Sequence, residues 1–336
     1  MPPERSTRPT LKTISELSGF AVPTVSRALK GAPDIGKSTK ETVQRIAREI
    51  GYVPNRAGVR LKTGKTNVIS LALSMEHDMM NNTDRLLSGL AGALRDTNYH
   101  MIVTPYFPDE DLMKPIRYIV ETGSADAIIL NQTEPEDARI AYLMERKFPF
   151  ATHGRTSWSH LHPYFDFDNE QYGRIAVSKL VARGRKNILL IAPPTNQTYA
   201  RHMILGAETM ARQWGVGLTR LTSATSNDST FAIQAAVTRH LTRATGIDAI
   251  ICASTSAAMA GATAIEAAGK TVGAEVDVFA KEAVPFLNLF RPGIISVSED
   301  ASRAGEFLAR AVVQAIDRPD LPPMQGLDFP EDQTAS

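Results

Sequence analysis

Cysteine is almost missing from this chain: Cys252 is the single one among 336 residues, beside only two tryptophans. One thiol cannot close an intrachain disulfide, so a stapled secreted scaffold is excluded and a reducing, cytoplasmic setting is expected. No apolar run approaches the roughly 18 residues that a membrane span requires. The opening MPPERSTRPT is polar where a secretion signal needs an apolar segment, so none is expected. Reactive motifs are missing too. There is no G-x-S-x-G and no H-E-x-x-H, so no enzymatic activity is expected. Thr63-Gly64-Lys65-Thr66 resembles the end of a phosphate-binding loop, but Val59 stands where such a loop needs glycine, and a strand pattern follows instead of a helix. His160 and His162 form an H-x-H pair near His153; without an accompanying cysteine no metal site is expected. Cys252 sits in an apolar strand pattern, which suits packing better than nucleophilic chemistry. No cofactor is implied.

Net charge is also nearly absent, at +1, but the balance is local. Residues 1–65 carry 13 Lys+Arg against 5 Asp+Glu, which leaves 24 basic and 31 acidic residues in the remainder. A basic head on an acidic body follows, and a basic head suits a polyanionic partner. Within it, apolar spacing marks three short helices, through Ile14 and Leu17, through Val25 and Leu29, and through Val43, Ile46 and Ile50. Ser18-Gly19-Phe20-Ala21 supplies a tight turn between the first two. Two short helices joined in this way form a helix-turn-helix, whose second helix enters the major groove. Val22, Pro23, Thr24, Ser26 and Arg27 lie on its exposed start, followed by Lys30. Val22 suits a thymine methyl and Arg27 a guanine edge. Thr10, Thr24, Ser26, Thr39 and Tyr52 are suitable phosphate contacts. Ala21 offers no hydroxyl cap, at about 1 kcal/mol. Ser38 with Glu41 suggests a capping box that starts the third helix slightly late.

The array Thr10-Leu11, Ser18-Gly19, Thr24-Val25-Ser26-Arg27, Thr39, Gly51-Tyr52-Val53-Pro54-Asn55-Arg56 and Leu61 resembles, without a gap, the lactose/galactose repressor family. The resemblance implies that Leu11, Asn55 and Arg56 join the DNA contacts. It implies that residues 55–62 form a hinge helix ordering on operator DNA, and that Leu61 is a wedge kinking the central base step. Gly58 lies within that helix, at about 1 kcal/mol relative to alanine, so the hinge is expected to order only on DNA.

From Asn67 onward, short apolar runs alternate with helical spacing, which implies parallel sheets flanked by helices. The pattern restarts after residues 158–169. The expected fold is therefore α/β, with a helix-turn-helix head and a two-lobed body of two doubly wound parallel sheets, like a periplasmic binding protein. Expected divisions are disorder over 1–9, the head at 10–53, hinge and linker at 54–66, and an effector-binding and dimerisation body at 67–335. In the body, the N-lobe is expected at about 67–160 plus 292–300 and the C-lobe at about 165–290 plus 301–320. Pro163-Tyr164-Phe165-Asp166-Phe167-Asp168-Asn169 looks like the family's crossing strand.

Ligands of such sheets sit beyond the carboxyl ends of strands. Tyr106, Asn131, His153, Arg155, Arg201, Ser256, Lys281, Glu282 and Glu299 are the candidates there. Tyr106, Trp158 or Phe286 could supply an aromatic face for a sugar. Thr255-Ser256 and Ala280-Lys281-Glu282 replace the family's usual Asn-Asp and Gly-Phe-Asp, so contacts at those positions do not carry over. Arg155, Arg201 and Lys281 suggest an acidic or phosphorylated sugar. The resemblance implies a dimeric transcription repressor on double-stranded operator DNA, relieved by a small sugar-like effector. A corepressor-dependent regulator and a sugar-binding transport protein are the alternatives, and the second would not need the basic head.

Overall fold

The computed structural model describes residues 9–53, 60, 64–75, 82–107, 109–243 and 246–332. Asn55, Arg56, Gly58 and Leu61, which carry the hinge-helix expectation, lie outside these, as does nearly all of the stretch 1–9. The chain divides into two compact units, Met1–Thr66 and Asn67–Ser336.

The first unit holds α1 (Leu11–Ser18), α2 (Val22–Leu29) and α3 (Lys37–Glu49). Gly19 ends α1 in the left-handed region (φ 73°), which a glycine reaches without a Cβ penalty. The chain then reverses, and Ile14, Val25, Ala28, Val43, Ile46 and Ala47 meet in one small core. Leu17 is 59% exposed, so the periodicity misplaced it by one face. As the sequence suggested, Ala21 caps α2 without a side-chain bond, and Pro23 occupies its first turn. Helix α3 starts at Lys37 behind Gly36 with no side-chain cap, so the Ser38 capping box does not form.

The second unit contains two six-stranded sheets. In the first, β1 (Val68–Ser74), β2 (His100–Tyr106), β3 (Ala127–Leu130), β4 (Phe150–His153), β5 (Tyr164–Phe167) and β11 (Gln325–Asp328) lie in the order β11-β5-β4-β3-β1-β2, all parallel. In the second, β6 (Asn187–Ile191), β7 (Gly217–Arg220), β8 (Ala249–Cys252), β9 (Asp277–Glu282), β10 (Ile294–Ser298) and β12 (Glu331–Asp332) lie in the order β12-β10-β9-β8-β6-β7. Among the described residues of this sheet, only β12 runs antiparallel, against β10. The order 2-1-3-4-5 thus recurs as 7-6-8-9-10. Central strands such as β3 and β8 are buried along their whole length, which explains their unbroken apolar runs.

Strand β10 pairs with β9 in the C-lobe, while the helix Ala301–Asp317 packs in the N-lobe on the helix Asn82–Leu94. The expected placement of 292–300 and 301–320 was therefore reversed. The reason is that the second crossover falls after β10, between Ser298 and Ala301, and not before it. Strand β5 likewise belongs to the N-lobe sheet, so the first crossover falls between Phe167 and Asn169. A third runs from β11 to β12, which periodicity did not suggest.

Each lobe contains one pair of helices crossing at glycines. A Cβ on Gly89 would strike the Ser302 carbonyl, and one on Gly305 the backbone at Leu86 and Leu90. In the C-lobe, Gly173 and Gly206 do the same between the helices Asn169–Ala182 and Thr198–Trp214. Asp168 and Asp300, one at each of the first two crossovers, cap the helices that follow them.

Candidate nucleic-acid interface and effector cleft

On the head, Val22, Pro23, Arg27 and Lys30 are exposed along α2, while Thr24 and Ser26 are half-buried. Arg27 is paired with the Asp34 carboxylate, so reading a base edge requires this exposed pair to open. Thr10 Oγ1 accepts from the Thr13 backbone N–H and closes a capping box on α1. Thr39 is half-buried in the first turn of α3, and helix N-termini of this kind favour phosphate oxygens. Leu11 and Tyr52 pack against the head core, and burial raises the Tyr52 phenol above its ordinary value. Their side chains therefore support the surface more than they form it.

In the body, a cavity of about 160 Å³ opens at the carboxyl ends of both sheets, beside the β1/β3 and β6/β8 switch points. Asn131, His153, Lys281 and Glu299 of the sequence candidates line it. Asp166, Asn169, Tyr199, Ser226, Asn227 and Ser254 join them, none of which periodicity singled out. Lys281 is 6% exposed. Its Nζ donates to Asn169 Oδ1 at 2.9 Å and lies 2.7 Å from Glu299 Oε2. That oxygen has the lysine charge but no directional hydrogen bond. The ammonium also sits 5.1 Å from the Phe167 ring centroid and 5.7 Å from that of Tyr199. Asn131 Oδ1 is buried without a hydrogen-bond partner among the described residues. Burial pushes the Asp166 carboxyl up to about 6, although Arg155 Nε donates to it at 2.7 Å. Burial lowers the His153 imidazole below its ordinary value, which leaves it neutral at pH 7.

Five candidates lie elsewhere. Arg155 holds Asp166 and reaches His202 Nδ1 at 3.3 Å, standing behind the cleft wall. Arg201 is exposed, with Nε donating to the Thr195 carbonyl. Ser256 is buried and bonds Ser254, whose hydroxyl caps the helix Thr255–Ala267 and faces the cleft instead. Glu282 is 3% exposed and accepts from Phe286 N, Leu287 N and Ser296 Oγ, so it is a structural carboxylate. It was misplaced because β9 runs on through residue 282, so Glu282 is still within the strand and alternation turns it away from Lys281. Tyr106 belongs to a neighbouring cavity. Trp158 packs on the N-lobe core and Phe286 stacks on Phe290, so the aromatic in the cleft is Tyr199.

The reading of an acidic sugar weakens here. Arg155 and Lys281 already face Asp166 and Glu299, and Arg201 points elsewhere. His162 bonds Thr156 Oγ1 and packs against Phe150, and no metal-binding group of three or more such side chains occurs among the described residues. Burial raises the Cys252 thiol, consistent with a packing role.

A helix-turn-helix head on a two-lobed body with a polar cleft defines a ligand-responsive DNA-binding regulator. Residues 10–55 match the model of bacterial regulatory proteins of the lacI family, and residues 82–321 match periplasmic binding proteins and the sugar binding domain of that family. The chain belongs to the LacI family of transcription regulators. It is 29% identical to the HTH-type transcriptional regulator AglR of Rhizobium meliloti, over 91% of this chain and 87% of that protein. It is 37% identical to RafR of Escherichia coli over 56% of each. The lac repressor dimer bound to operator and an anti-inducer superposes with a TM-score of 0.84 at 19% identity, covering 97% of both chains. The transcriptional regulator CelR in complex with cellobiose gives 0.69 at 23%, covering 96% of this chain and 98% of that one.

Proposed function

We propose that the chain is a cytoplasmic, homodimeric, non-enzymatic repressor whose operator affinity is lowered when a neutral sugar occupies the cleft. The observation that carries this is Lys281. It faces the cleft while touching Asn169 and Glu299, which flank the first two lobe crossovers, so an occupant of the cleft acts directly on the hinge between the lobes. Asn131, Asp166, Asn227, Ser254 and Glu299 offer hydroxyl-bonding groups and Tyr199 an apolar face, with the charges balanced as a neutral polyol requires. A ligand changes DNA binding only through different affinities for the two lobe arrangements, and a site built from both lobes supplies that difference.

For the head, we assign direct base contact to Val22, Pro23, Arg27 and Lys30, phosphate contact to Thr10, Thr24, Ser26 and Thr39, and minor-groove binding to Asn55, Arg56 and Leu61. Leu11 and Tyr52 hold the surface from behind. Homodimer formation is supported by the apolar stretch at Val284, Phe286, Leu289 and Phe290, where Leu289 is 84% exposed. The test is fluorescence anisotropy of the full chain on duplexes from the promoters flanking its own gene, with neutral sugars added in turn. Binding tighter than to random duplex, released by a sugar, supports the reading. Equal binding to both duplexes with no sugar effect refutes it.

A further inference from the structure

A cavity of about 440 Å³ opens on the N-lobe at the amino ends of β4 and β5, the opposite end of the sheet from the cleft. Three connections enclose it: residues 147–149 after the helix Ala138–Glu145, residues 161–163 before β5, and residues 318–323 between the helix Ala301–Asp317 and β11. Every lining residue belongs to the N-lobe, so an occupant is held alike in both lobe arrangements and does not compete with a ligand of the cleft.

The walls are stiff and apolar. Pro149, Pro163, Pro319 and Pro323 restrict the backbone on all three sides, and Phe148 and Phe150 add ring surface. Leu161 and Leu321 also line the cavity and are 58% and 39% exposed. The volume lies within the roughly 300–1,000 Å³ of small-molecule sites. Neutral polar groups are spent within the protein: Gln314 Nε2 donates to the Pro322 carbonyl at 2.9 Å, and His162 bonds Thr156 Oγ1 and the Pro163 carbonyl. Burial lowers the His162 imidazole, which leaves it neutral at pH 7. The charge is all of one sign. Lys147 and Arg318 line the cavity, and no carboxylate does among the described residues. Arg318 has Asp320 at 3.9 Å, an exposed pair that water screens.

Lys147 is also conformationally unusual. It holds φ 49°, in the left-handed region, just past the cap of the helix Ala138–Glu145, where glycine is the usual residue. A side chain there strains the backbone, and strained residues of this kind cluster at ligand-binding positions.

We propose that this cavity binds a monocarboxylate with an apolar aryl or medium-chain body, whose head group meets Lys147 and Arg318. The body lies against the proline and phenylalanine walls, and the carboxylate supplies the negative charge that the lining lacks. The inference stands apart from the reading of the cleft, and its failure leaves that reading untouched.

The test is isothermal titration of the full chain with 4-phenylbutyrate and decanoate, beside the neutral 4-phenylbutanamide and the short acid butyrate. Each apolar acid is expected to bind about fivefold or more tightly than either control. Lys147→Gly is the diagnostic variant, because glycine takes φ 49° without a Cβ penalty while the charge is lost. Its urea unfolding midpoint should be unchanged or raised. It should bind 4-phenylbutyrate about threefold or more weakly, and the amide about as before. Ala315→Trp fills the cavity and should abolish binding of acid and amide alike. Equal binding of acid and amide, acid binding that Lys147→Gly leaves unchanged, or acid binding that survives Ala315→Trp each overturns the inference, as does failure of both apolar acids to bind. A changed sedimentation mass for Leu161→Asp without any acid assigns the groove to contact between copies of this chain and overturns it too.

Discussion

Lys281→Met is the substitution that most directly tests the hinge. The ammonium is 6% exposed and its partner Glu299 is 13% exposed by side chain, so the pair is shielded from water on both sides. Removing the lysine leaves a buried carboxylate without its counter-charge, which costs about 3–5 kcal/mol. Against a total stability of about 5–15 kcal/mol, the body should still fold but with a lowered denaturation midpoint. The methionine keeps contact with the rings of Phe167, Tyr172 and Tyr199, so loss of packing is a minor part of the effect. Adding Glu299→Gln removes the stranded charge, and the double variant should recover at least half of the loss. Both tryptophans, Trp158 and Trp214, lie in the body, so fluorescence-detected urea unfolding of the full chain reports on that unit alone. The double variant should also lose sugar control of DNA binding, because the ammonium that ties Asn169 to Glu299, one beside each of the first two crossovers, is then gone. If the two single costs add within about 0.5 kcal/mol, the residues are uncoupled and the reasoning fails.

The glycine crossings make Gly89→Ala and Gly206→Ala destabilising by about 1–3 kcal/mol or more in the same assay. Gly92→Ala, exposed on the same helix as Gly89 with open space at its Cβ, should instead gain about 0.5–1 kcal/mol; equal effects at 89 and 92 would refute the close packing. Asp166 titrates near 6 in the fold against an ordinary value of 3.8, chiefly because burial disfavours its charge. Its contribution to stability is therefore present below pH 3.8 and lost as pH rises through 6, and Asp166→Asn should flatten unfolding free energy across that window. Sugar affinity should weaken as pH falls through about 6, because a protonated Asp166 accepts hydroxyl bonds less well; calorimetry at pH 5 and 7.5 checks this. On the head, Asp34→Ala frees Arg27 and removes a negative charge, so DNA should bind several-fold more tightly at low salt, with the gain shrinking as salt screens it. An unchanged anisotropy titration at low salt would show that Arg27 is not a DNA contact.

What could be read from the sequence divides along physical lines. Period-two and period-3.6 patterns carry burial, and in the head they placed Ile14, Val25, Val43 and Ile46 in the core directly. They say nothing about where a chain leaves one sheet for another, because β10 is as apolar as its neighbours in either lobe. Hence residues 294–298 and 301–317 went to the wrong lobes. A glycine inside a helix likewise reads only as a propensity loss. Its use at positions 89, 173, 206 and 305 emerges once two helix backbones are seen to touch.

The cleft shows the same limit at finer scale. Strand ends can be located to within a few residues, and Asn131, His153 and Glu299 fall where that locates them. Which side chain faces the ligand turns on a single step of the pleat or one position of a helix cap. Lys281 enters the cleft and Glu282 does not; Ser254 faces it and Ser256 bonds back to Ser254. Charge misled for a related reason. Arg155 and Lys281 read as free cations in a linear sequence, and only folding brings Asp166 and Glu299 against them. The same pairing that removes the case for an acidic sugar gives Lys281 its place between the ligand and the hinge. A cation free to bind an anionic ligand would have no fixed partners at the crossovers, and the link from occupant to hinge would then have to run through the other cleft residues of the two lobes.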